Sequence, residues 1–149
     1  MENLTVSEVK LTYQTKQKAS ERPKVCNSQT TYDLLLKCFD SETIELKESF
    51  KVLLLNSANK VLGVMNISEG GTTGTIVDTR LIMQSVILSN ATKVILAHNH
   101  PSGNLIPSAQ DSFITKRVKQ ACELLDIELC DHLIISPDNY YSFGDEGMI

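Results

Sequence analysis

The sequence predicts an α/β fold, a mixed β-sheet sandwiched by helices, and three observations predict it. Apolar, β-branched runs of strand length alternate along the chain with stretches whose apolar residues recur at helical spacing. One run, "TKVILAH" at 92–98, is too uniformly apolar for an exposed edge and reads as a central strand covered on both faces. The length, 149 residues, suits one hydrophobic core.

Each element follows in order. Val9, Leu11 and Tyr13 alternate with Lys10, Thr12 and Gln14, the period of a half-buried strand, so residues 1–24 are expected to supply an edge strand and a polar linker before a domain over 25–149. Leu34, Leu35, Cys38 and Phe39 then fall at helical spacing behind candidate caps at Ser28 and Thr30, which predicts a helix to about Asp40. "SFKVLLLNSANKVLGVMNIS" (49–68) is two apolar runs flanking a short polar turn, an antiparallel hairpin. The Gly-Thr cluster at 69–75 is a loop. Asp78 caps a helix in which Leu81, Ile82, Ser85, Val86 and Ser89 share a face, ending near Asn90. Ser108 opens the last long helix as an S-x-x-D cap with Asp111, and its expected apolar stripe is Phe113, Ile114, Val118, Ala121, Cys122 and Leu125. Strand-like "IELCDHLIIS" (127–136), a "PDN" turn and "YYSF" (140–143) close the chain.

Composition narrows the function classes. A hydrophobic content of 42% with 21% charged residues is ordinary for a globular domain, and no apolar run approaches the ~20 residues needed to span a bilayer. "MENLTVSEVK" has no basic segment followed by an apolar stretch, so the expected location is cytoplasmic and no membrane partner is expected. Cys26, Cys38, Cys122 and Cys130 form no C-x-x-C pair, which disfavours a zinc ribbon or disulfide frame and makes reduced thiols the expectation. A net charge of −4 argues against a broad grip on nucleic acid, although Lys116, Arg117 and Lys119 could form a local patch.

The chemistry concentrates where the central strand runs out. In an extended segment residues i and i+2 project from one side, so His98 and His100 can aim at one point while Asn99 faces away. Asp111 lies in the first turn of the following helix, where side chains lean back toward the N-terminus and the dipole favours an ionised carboxylate. Two imidazoles and one carboxylate match the three-ligand zinc sites of hydrolases, which leave the fourth position for water. Taken singly, Ser108 and Asp111 are fully explained as a capping box, and an H-x-H pair as surface residues. The combination, with the Gly-Pro loop between, is what points to a metal.

"HNHPSGNLIPSAQD" fits H-x-H-x(7)-S-x(2)-D without a gap. In this the chain resembles JAB/MPN domains with a JAMM zinc motif, and the "HNHPSG…PS..D" detail is similar to their bacterial RadC-like branch. The resemblance runs from about Cys26 to Phe143 and implies a JAB/MPN, cytidine-deaminase-like architecture. It implies one Zn²⁺ per chain held by His98, His100 and Asp111, with Ser108 stabilising an oxyanion and an upstream glutamate serving as general acid and base. Glu48 is chosen for that role because "ESFKVLLL" has the form of a glutamate just before an aromatic-apolar strand; Glu42, Glu45 and Glu69 are the alternatives. The implied activity is a zinc metallopeptidase acting on a peptide or isopeptide substrate.

The same resemblance implies a link to DNA repair, so a repair-associated accessory role and a non-catalytic metal-binding scaffold are the rival classes. The residues before Glu48 lack the look of the helix-hairpin-helix region of longer RadC-like proteins, which weakens the expectation of DNA contact. A zinc nucleobase deaminase requires H-x-E and P-C-x-x-C, and neither occurs. His132, in "CDHLII", reads as a structural residue outside the ligand set. Gly103 is expected to supply a positive φ in the loop between ligands.

Overall fold

The computed structural model describes residues 6–10, 12, 14–71 and 74–149. Its elements are α1 (Ser28–Leu36), β1 (Ser49–Leu55), β2 (Val61–Glu69), α2 (Thr79–Leu88), β3 (Lys93–Asn99), α3 (Ala109–Leu124), β4 (Glu128–Ile135) and β5 (Tyr140–Ser142). The five strands form one sheet in the order β2-β1-β3-β4-β5, with β3 and β4 parallel and the other pairs antiparallel. This is the mixed sheet that the sequence predicts. No helix among the described residues is long and apolar enough to cross a membrane.

Alternation along β3 explains why helices cover both faces. Val94 and Leu96 pack with Val52, Leu54, Ile82, Val86, Ile114, Val118 and Cys122, a layer shared with α2 and α3. Ile95 and Ala97 point the other way, into a layer with Leu53, Leu133, Tyr32, Leu35 and Phe39 that α1 closes. Each large aliphatic side chain so buried contributes about 1.5–3 kcal/mol, so a strand apolar at every position is stable only between two such layers.

Three local expectations are corrected. The expected N-terminal edge strand falls in part on Leu11 and Tyr13, which lie outside the described residues; Val9 is exposed. The sheet edge is met by Lys24, which bridges Lys60. The cap of α1 is Asn27, whose side chain accepts from the Thr30 amide while the Thr30 hydroxyl accepts from the Asn27 amide. That helix stops at Leu36, although Phe39 remains buried in the turns beyond it. On α3, Phe113 is 57% exposed and Leu125 46%, because the helix presents Asp111, Ile114, Thr115, Val118 and Cys122 to the sheet.

Candidate metal centre

The cleft lies beyond the carboxyl ends of the parallel strands β3 and β4, the end at which open α/β sheets place their ligands. His98 is on β3 and fully buried; His100 is the residue after the strand. Its amide still donates to Ile135 O at 3.3 Å, so the extended course of β3 persists through it and both rings emerge on one side. Asp111 comes from the first turn of α3, brought there by the crossover between two parallel neighbours.

Three donor groups converge. His98 Nε2 lies 3.0 Å from His100 Nε2 and 3.0 Å from Asp111 Oδ1, and His100 Nε2 lies 3.4 Å from Asp111 Oδ2. Bonds of 2.0–2.1 Å in a tetrahedron set ligand atoms about 3.3 Å apart, so one ion can be reached by all three. Among the described residues, His98, His100 and Asp111 are the group of this kind that could hold a metal ion. Burial opposes ionisation of Asp111, but hydrogen bonds with His100 and His98 outweigh it and hold the carboxyl well below the usual range. The same partnership raises the His100 imidazole against the opposing effect of burial.

The loop between the ligands fixes the second nitrogen of His100. Gly103 has φ +77°, the left-handed conformation expected of it, and its amide closes a turn on His100 O at 2.9 Å. That turn brings Asn104 O within 2.5 Å of His100 Nδ1. A carbonyl can only accept, so Nδ1 carries a proton and Nε2 is the nitrogen turned to the centre, where a proton shared with Asp111 occupies the place an ion would take. Ser108 completes a full capping box: its Oγ accepts from the Asp111 amide at 3.0 Å and its own amide donates to Asp111 Oδ2 at 2.7 Å. The cap thus also orients the Asp111 carboxylate.

Glu48, Ser108, His100 and Asp111 line one cleft of about 250 Å³ with Gly74, Thr75 and Gln110. Burial raises the Glu48 carboxyl, partly offset by His98 and His100. The three alternatives stand elsewhere. Glu42 and Glu45 are exposed, and Glu69 is tied to Lys47 at 2.7 Å and to the Asn66 amide at 3.1 Å.

Asn99 was visible in the sequence only as the residue facing away. On that opposite face it is fully buried, its Oδ1 accepting from the Ser49 amide at 2.8 Å while its Nδ2 donates to Ile44 O at 2.6 Å and Lys47 O at 2.9 Å. These three bonds bracket Glu48. From the other side the Gly70 amide donates to Glu48 O at 2.9 Å. Gly70 must lack a side chain, since a Cβ there would collide with the Gly74 carbonyl. His132 and Thr115 also join the centre: His132 Nε2 is 2.8 Å from His98 Nδ1, and its Nδ1 is 2.6 Å from Thr115 Oγ1. Burial pushes the His132 imidazole well below its ordinary value.

The family described as RadC-like JAB domain matches residues 25–148. A UPF0758 protein of Flavobacterium johnsoniae is 52% identical over 101 residues, covering 68% of this chain and 44% of the relative. One from Porphyromonas gingivalis is 48% identical over 104 residues, 69% of this chain and 46% of the relative. One from Symbiobacterium thermophilum is 38% identical over 128 residues, 86% and 53% respectively. The chain therefore spans about half the length of the curated relatives it matches.

Proposed function

This chain belongs to the RadC-like JAB domain family, and from that premise we propose that it is a zinc-dependent metallohydrolase of the metallopeptidase or isopeptidase type, cleaving an amide bond. The observation that carries the reading is the meeting of His98 Nε2 and His100 Nε2, 3.0 Å apart, with the Asp111 carboxylate, whose Oδ1 is 3.0 Å from the first and Oδ2 3.4 Å from the second, at a cleft lined by His100, Asp111, Glu48 and Ser108. When bound, a zinc ion supplies a Lewis-acidic centre that makes water nucleophilic near neutral pH.

The chain's own residues do the rest. Glu48, half-buried and raised above an ordinary carboxyl, takes a proton from the attacking water and returns it to the leaving amine nitrogen. Ser108 uses an oxygen lone pair for the helix cap, and its hydroxyl proton remains available to the carbonyl oxygen that gains charge. Asp111, anchored by the Ser108 amide, keeps the ligand set ionised. The substrate is a peptide or isopeptide.

The test is a screen of peptide and isopeptide substrates with the zinc-loaded chain beside its Glu48→Gln variant. Zinc uptake by both with hydrolysis by the first alone supports the reading. Zinc uptake without turnover on any amide favours a metal-binding scaffold, and salt-dependent binding of duplex DNA without turnover favours a repair-associated accessory role.

A further inference from the structure

We infer that His132 is a positioning residue for the metal centre, a neutral imidazole whose tautomer Thr115 sets and which in turn holds His98 with its Nδ1 protonated and its Nε2 bare. The inference rests on the metal reading of His98, His100 and Asp111, but its evidence begins elsewhere. It begins at a backbone carbonyl. Asp111 O lies 2.6 Å from Thr115 Oγ1 and can only accept, so the Thr115 hydroxyl proton is committed to it. Thr115 Oγ1, 2.6 Å from His132 Nδ1, is left only the acceptor role there, so that nitrogen carries a proton.

His132 is fully buried, with its ring stacked on Phe143 at 12° and edge-on to Phe50. No carboxylate oxygen hydrogen-bonds the ring among the described residues, and an unpaired buried cation is costly. A single ring proton on Nδ1 leaves Nε2 as an acceptor, and its partner at 2.8 Å, His98 Nδ1, must donate. In a neutral His98 the Nε2 is then bare, and it faces an Asp111 oxygen at 3.0 Å and the Nε2 of His100 at 3.0 Å. Three lone pairs pointed at one another are repulsive until a proton or a metal ion stands between them, and a metal ion takes the place of the proton.

The arrangement has a chemical consequence. Metal-ligating histidines almost always donate their second N–H to a carboxylate, a backbone carbonyl or water, which fixes the tautomer and raises ligand basicity. Here both ligand histidines donate to neutral acceptors, His98 to an imidazole and His100 to the Asn104 carbonyl. The rings are oriented without extra negative charge behind them, so more of the ion's charge is left to polarise what binds in the open position.

Ring-nitrogen ¹H–¹⁵N spectra of the full chain and zinc affinity by chelator competition test this. All three histidines are expected in the Nδ1–H form. His132→Leu should weaken zinc binding about 10- to 100-fold, and Thr115→Val, nearly isosteric, should weaken it less while releasing His132 into a mixture of tautomers. His132→Gln, which can still accept, should recover most of the affinity. An Nε2–H tautomer for His132 in the unaltered chain, or zinc affinity within twofold of it in both His132→Leu and Thr115→Val, would overturn the inference. If the unaltered chain takes up no zinc, the metal reading fails instead, and the ring spectra still decide the tautomers.

Discussion

The two halves of the cleft are built differently. The metal half stands on regular elements: β3 and α3 carry His98 and Asp111, and the second polar atom of each ligand is already engaged, by His132, Asn104 or the Ser108 cap. The Glu48 half stands on a run of turns between α1 and β1, held by Asn99 on one side and the Gly70 amide on the other. A site needs rigid ligands to define where an ion sits. In the proposed reaction Glu48, in contrast, would move a proton between two positions. The H-N-H triplet joins the halves, since consecutive residues of one strand send two imidazoles to one face and the carboxamide clamp to the other.

The sharpest break of the comparison is removal of a ligand. His98→Ala or Asp111→Ala should take zinc content from about one ion per chain to none by elemental analysis, whereas Glu48→Gln should leave it unchanged. Next in size is the effect of Glu48→Gln on amide hydrolysis, a loss of about 100- to 10,000-fold at constant zinc affinity. Equal loss of metal in that variant would merge the two halves into one.

Asn99→Ala separates them from the other direction. It strands the Ser49 amide and the Ile44 and Lys47 carbonyls, so a destabilisation of about 3 kcal/mol by urea unfolding is expected, with zinc affinity little changed. Combined with Glu48→Gln it should cost no further activity, because Asn99 acts through Glu48. The smallest effect is in thiol labelling of the native chain. Cys122, buried on the inward face of α3 with its thiol pushed up to about 11, should resist labelling until global unfolding. Cys38, partly buried at the start of the turns that lead to Glu48, should react earlier through local opening. Equal protection of the two would mean that the halves are equally rigid.

What could be read from the sequence was what is local. The hairpin around 56–60, the central β3, the Asp78 cap and the Ser108–Asp111 box each follow from spacing within a few residues, and the structure has them. The ligand triplet belongs to the same class, since its three members lie within fourteen residues on adjacent elements. What escaped depends on tertiary register. His132 meets His98 only because β4 lies parallel to β3 with Leu96 opposite His132, a pairing that no local pattern encodes. The stripe of α3 is narrower than its apolar residues suggest because Asp111 and Thr115, which meet the histidines, occupy part of its inward face and Phe113 lies outside. The end of α1 was misplaced because Phe39 keeps helical spacing while buried in a turn. Asn99 could have been suspected: a carboxamide ending an otherwise apolar buried strand must find partners.

Everything turns on where a metal ion sits. A crystal of the zinc-loaded chain, with anomalous diffraction collected at the zinc edge, should show one peak about 2.0–2.2 Å from His98 Nε2, His100 Nε2 and an Asp111 oxygen. A peak away from those three atoms, or none in a chain saturated with zinc, would contradict the account.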